Sequence, residues 1–220
     1  MPRHIALGIA ATLALASPAS ATLITTDPSL PPVEGEYRTP ADVHAEYAVG
    51  SNTVTLETIS HFGFTNIERL EIGFDEIEQF DSTVTGDVRL NGGLLGSITM
   101  TGPVSTQVDG KVGNTVGTFD TEMLSMSLTG TLGLVQVVVR ESPTLASQGS
   151  TTITDLGGGL YQMQSFFDVF TELSFDGGQS WNPSTGSTHV TLVPEPGALT
   201  LLAAGLLALR RRRRAGPVTH

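Results

Sequence analysis

The stretch VTGDVRLNGG, Val84 to Gly93, sets apolar or small residues at Val84, Gly86, Val88 and Leu90 against polar ones at Thr85, Asp87 and Arg89, and then stops at Asn91-Gly92-Gly93. Side chains of a strand point alternately to its two faces, so a period of two means one buried face and one wet one. The paired glycines that follow supply the positive φ of a tight turn. The same pattern recurs outward along the chain. Leu70, Ile72 and Phe74 alternate with Arg69, Glu71 and Gly73, and Leu124, Met126 and Leu128 with Ser125, Ser127 and Thr129. Phe167, Val169, Thr171, Leu173 and Phe175 alternate with Asp168, Glu172 and Ser174, while Val135 to Arg140 is apolar enough for a central strand. Turn chemistry separates the runs at Gly102-Pro103, Asp109-Gly110, Gly113-Asn114, Gly157-Gly158-Gly159 and Gly177-Gly178.

Many short strands with glycine-rich turns predict an all-β domain, an antiparallel β-sandwich over 43–192. Strand count alone does not fix its topology: jelly-roll-like and immunoglobulin-like orders both fit, and a closed barrel or a solenoid stays open. Before it, residues 22–42 carry Pro28, Pro31, Pro32 and Pro40 with little periodicity and read as an extended arm. No long amphipathic helix is expected in the body.

The chain has 220 residues and no cysteine, which excludes disulfides and thiolate metal sites. It holds 11 Lys+Arg against 22 Asp+Glu, and five of the arginines sit side by side at 210–214. The body is therefore strongly acidic, with only Arg38, Arg69, Arg89, Lys111 and Arg140 as cations between Thr22 and Val193. Such a surface repels phosphates, and nucleic acid is not an expected partner.

Both ends differ from the body. Residues 1–21, with Arg3, an apolar run from Ile5 to Ala16, Pro18 and the small residues Ala19 and Ala21, read as a secretory signal peptide whose removal by signal peptidase leaves Thr22 as the first residue. At the other end Pro194, Glu195 and Pro196 precede an apolar segment, Ala198 to Leu209, built on Leu199, Leu201, Leu202, Leu206, Leu207 and Leu209. As a short helix it would span about 18 Å, against a hydrocarbon core of about 30 Å. Arg210, Arg211, Arg212, Arg213 and Arg214 follow; their stems can snorkel and extend the segment, and their charge holds that end in the cytoplasm. The body is then left outside, the side to which the signal peptide would deliver it. Ala215 to His220 form a short tail beyond.

The order Pro-Glu-Pro, apolar run, basic cluster over 193–214 resembles the PEP-CTERM sorting signal of exported proteins in Gram-negative, matrix-producing bacteria. The resemblance implies an inner-membrane intermediate processed near Pro194, Glu195 and Pro196 by exosortase, a membrane-embedded peptidase. It implies a final place at the cell surface or in the extracellular polysaccharide of a biofilm.

Catalytic signatures are sparse. There is no Gly-x-Ser-x-Gly and no His-Glu-x-x-His, and the single lysine, Lys111, lies in no phosphate loop. His44, His61 and His189 are isolated in sequence and read as structural. Ser174, Asp176, Gly178, Ser180 and Trp181 resemble the Asp box of sialidases and related proteins, a structural hairpin staple; the strand and turn together also resemble the closing segment of other PEP-CTERM proteins. Glu68, Glu71, Asp75, Glu76, Glu78 and Asp81 form an acidic stretch whose oxygens would suit Ca²⁺, but whose spacing fits no calcium loop. No cofactor and no catalysis are expected. The leading expectation is a structural or adhesive envelope or matrix protein; the alternatives are a carbohydrate-binding or carbohydrate-active domain, and a calcium-stabilised adhesin.

Overall fold

The computed structural model describes residues 22–195, and these form strands, turns and loops without a helix. The strands are Leu23–Thr25 (β1), Gly35–Arg38 (β2), Ala45–Val49 (β3), Asn52–Ile72 (β4), Asp75–Leu90 (β5), Gly93–Val108 (β6), Gly117–Leu132 (β7), Val135–Glu141 (β8), Ser147–Gly157 (β9), Leu160–Val169 (β10), Thr171–Ser174 (β11), Asn182–Pro183 (β12) and Thr188–Pro194 (β13). Every pairing is antiparallel. The all-β antiparallel expectation thus holds.

The pairings also close. From β2 the sheet runs through β4, β5, β6 and β7; β9 joins β7 to β10, and β13 joins β10 back to β2. The two faces expected of a sandwich are two walls of one continuous sheet, wound as a meander in which each strand lies beside the next. One wall is uninterrupted: β4 to β7 are each 16 to 21 residues long. The other is interrupted in every strand, between β2 and β3, β8 and β9, β10 and β11, and β12 and β13. These breaks are stitched by hydrogen bonds: Ser142 N–H to the Phe170 carbonyl, Phe170 N–H to Ser147 Oγ, Thr171 N–H to Ser184 Oγ, and Thr185 N–H to the Glu46 carbonyl.

The wet–dry alternation of the opening stretch survives in β5. Phe80, Val84 and Val88 point into the core with Ser82 between them. Gly86 is in phase with this set, and a Cβ there would lie 2.7 Å from Leu56 Cδ1, so glycine admits the neighbouring leucine. In β4 the inward set is Val54, Leu56, Ile59, His61, Phe64 and Ile67, and its phase slips three times. Thr58, Gly63 and Asn66 take left-handed φ values of 50°, 67° and 52° at these slips, where the register with β5 shifts. They are β-bulges, each adding a residue that turns the next side chain inward.

Three sequence expectations need correction. Residues 22–42 are extended, but they are no arm beside the domain: β1 pairs with β10, β2 sits between β13 and β4, and Leu23, Leu30 and Tyr37 are buried. The prolines bound these strands rather than excluding them. Leu70, Ile72 and Phe74 are not half buried; Phe74 is 82 % exposed. Beyond His61 the β4 edge is not paired with β2, and the β4–β5 hairpin runs past the wall that would have covered it. In β7 a register shift makes Met123, Met126 and Leu128 the inward set and turns Leu124 out.

Candidate functional site

The end of β13 is the first candidate. Leu192, Val193 and Pro194 pair with Tyr37, Glu36 and Gly35, and Glu195 N–H donates to the Glu34 carbonyl at 3.2 Å. Pro194 is buried as the last residue of the strand, a place that suits a residue lacking the N–H. The first two residues of Pro-Glu-Pro therefore belong to the fold. Pro196, the apolar residues Ala198 to Leu209 with the helix expected there, and Arg210 to Arg214 lie outside the described residues. So do Ala19 and Ala21, whereas Thr22 directly precedes β1.

The Asp-box-like turn closes on itself. Buried Ser174 Oγ donates to Asp176 Oδ1 at 2.7 Å and accepts from Gly178 N–H at 2.9 Å. Asp176 Oδ1 also accepts from the N–H groups of Gln179 and Ser180, both at 2.9 Å, while Ser180 Oγ donates to Oδ2 at 2.5 Å. The hydrogen bonds from Ser180 and Ser174 hold the Asp176 carboxyl well below the usual carboxylate range. Gly177 and Gly178 supply the left-handed φ values of 74° and 90°. Trp181 receives the Arg140 guanidinium at 3.9 Å from its ring, and Arg140 is also paired with Glu172 at 2.6 Å. Both carboxylate oxygens of Asp176 are engaged within the turn, as a staple requires.

The three histidines are not brought together. His44 lies 3.9 Å from Glu46, and His189 Nδ1 lies 2.8 Å from Asp168 on the outer face. His61 points into the ring, where burial pushes its pKa down to about 4. The acidic stretch separates as well. Asp75 accepts from Gly110 N–H, Asp81 accepts from Asn66, and Glu78 turns inward. Among the described residues no three acidic or histidine side chains are placed to hold a metal ion.

Glu78 is the residue that a motif search passes over. It is 2 % exposed and accepts from Thr106 Oγ1 at 3.0 Å through Oε2. Burial outweighs that hydrogen bond and pushes its pKa up to about 8. Its signal is in the sequence: 78 shares the inward phase of 80, 84 and 88, so alternation alone sets this carboxyl among apolar neighbours. Across the ring Tyr37 donates to Ser165 Oγ at 3.0 Å, and Thr151 Oγ1 lies 2.7 Å from the same oxygen.

Compared with known families, residues 192–214 match the model of the PEP-CTERM protein-sorting motif. No curated protein and no solved structure matches the chain. The motif marks an exported protein addressed to exosortase and tethered to the membrane.

Proposed function

We propose that this chain is delivered across the inner membrane, held there by its tail, trimmed by exosortase, and released as a structural or adhesive component of the cell surface or polysaccharide matrix. The observation that carries the reading is the sorting motif at 192–214, joined directly to the strand that closes the ring. Only Pro196 and Gly197 lie between Glu195 and the apolar run. Two extended residues reach about 7 Å, so the end of the ring bearing Glu195 stays against the bilayer until the tail is cut. The acidic body, short of catalytic signatures, supports action by display rather than by chemistry.

Fractionation of the producing bacterium, with mass spectrometry of both termini, tests this. The expected mature chain begins at Thr22, lacks Arg210 to Arg214, and leaves the cytoplasm. Deleting the five arginines should abolish trimming. Persistent cytoplasmic protein with both ends intact would overturn the reading.

A further inference from the structure

A chamber of about 80 Å³ runs along the inside of the ring. One buried water needs about 10–15 Å³ on the same measure, so the space admits something larger. Its walls are mainly apolar, with Phe64, Phe80, Val84, Met100, Met123 and Phe167 among them. Four polar atoms in this lining have no partner within the protein: Glu78 Oε1, His61 Nε2, Thr121 Oγ1 and Thr188 Oγ1. Their residues are between 2 and 8 % exposed. A buried polar group without a hydrogen bond is costly, and four of them lining one space point to an occupant that satisfies at least some of them. An eight-stranded closed sheet has an interior just wide enough for packed side chains or for one small ligand.

We propose that this chamber binds one small, uncharged amphipathic molecule, its hydroxyl-type head between Glu78 and Thr121 and its apolar body along the aromatic and methionine walls. This goes beyond the sorting reading and does not rest on it. The head must both donate and accept, because Thr106 occupies only Glu78 Oε2, and Oε1 and the Thr121 hydroxyl are left to it. A charged ligand fits poorly. Among the described residues no cation forms an ion pair with Glu78, so a bound anion would lie uncompensated in an apolar space, and burial keeps Glu78 protonated at neutral pH, so a bound cation would lack a counter-charge as well. A ligand without a polar head would leave all four atoms unsatisfied. Leu30 and Pro31, which belong to the loop between β1 and β2, also line the chamber. That loop is latched by Arg69 Nε, which donates to the Leu30 carbonyl at 2.7 Å.

The test uses the full chain in phospholipid nanodiscs and ¹⁹F NMR of 4-fluorophenol, with fluorobenzene and 4-fluorobenzylammonium beside it. Expected is a saturable bound resonance for 4-fluorophenol, absent from empty nanodiscs and at least about tenfold weaker for the other two probes. Glu78→Leu should weaken binding about tenfold, as for the loss of a hydrogen bond of about 1.4 kcal/mol. Thr121→Val, which keeps the shape of the side chain, should weaken it about fivefold, and Glu78→Gln should stay within about threefold of wild type. Far-UV circular dichroism establishes that each variant is folded. The proposal is overturned by the absence of a protein-dependent resonance, or by one that folded Glu78→Leu and Thr121→Val leave unchanged. It is equally overturned by fluorobenzene or the ammonium probe binding as well as the phenol, or by a chamber filled with ordered water that the phenol does not displace.

Discussion

Two polar clusters in this molecule are built from similar residue types and end in opposite states. At Ser174 to Trp181, hydroxyls and a carboxylate close around backbone N–H groups until both oxygens of Asp176 are engaged. Around the chamber, hydroxyls, a carboxyl and an imidazole leave four atoms without protein partners. The difference lies in the backbone that carries them. A glycine-bearing turn bends until its own amides reach the side chain, whereas strands fix each side chain at the spacing of the sheet, about 4.8 Å from the next strand. A turn can thus satisfy itself, and a sheet interior can be left prepared for something else.

Breaking the wall of the chamber should have the largest effect. A Cβ at Gly149 would stand 2.1 Å from the Phe166 carbonyl oxygen and 2.8 Å from Thr121 Oγ1. Gly149→Val is expected to cost about 3 kcal/mol or to abolish soluble expression, measured by chemical denaturation. Next comes the pH dependence of the buried pair. Glu78 keeps its proton in the folded chain up to about 8 but loses it near 4.5 when unfolded, so its contribution is complete at low pH and is lost as pH rises towards 8. His61 acts oppositely, its contribution being present above 6.5 and lost as pH falls towards 4. Between about 4.5 and 6.5 the two slopes oppose, and from 6.5 to 8 stability should fall by about 1–2 kcal/mol. Glu141, pushed up to about 7 by burial, adds to the fall near neutrality. Glu78→Gln should remove most of the slope above pH 7 in thermal melts; an unchanged slope would place the titration elsewhere.

In the turn, Ser174→Ala removes a buried hydroxyl that serves Asp176 and Gly178, and should cost about 1–2 kcal/mol without altering the slope above pH 7. Smallest is Trp181→Leu, which ends the contact with Arg140 and should cost about 0.5–1 kcal/mol. If Ser174→Ala also shifted the slope above pH 7, the two clusters would be coupled rather than separate.

Much of the fold was legible where alternation is regular. Val84 and Val88 point inward as read, the Val135 to Arg140 run is paired along its length by β7 and over Val138 to Arg140 by β11 as well, and the Ser174 to Trp181 staple forms from the residues that suggested it. The reading failed where a bulge slips the phase, as at Leu124, and where a strand outruns its partner, as at Leu70 to Phe74. It failed again at residues 22–42, because the proline spacing hid two short strands whose partners include segments more than a hundred residues further along the chain, β10 for β1 and β13 for β2. Glu78 and His61 were read only as part of an acidic stretch and as an isolated histidine, because no motif contains them; their place on the chamber follows from which way their strands face.

The local order of residues was enough to establish the strand period, the turn positions and the sorting motif, because each depends on neighbours a few positions apart and on a signal read as an extended peptide. Closure of the sheet into a ring, the burial of Pro194 in its last strand and the gathering of Glu78, His61, Thr121 and Thr188 around one space were decided by tertiary structure. Each requires hydrogen bonds or contacts between segments far apart in the chain, and strand alternation says which face a side chain takes without saying what stands opposite.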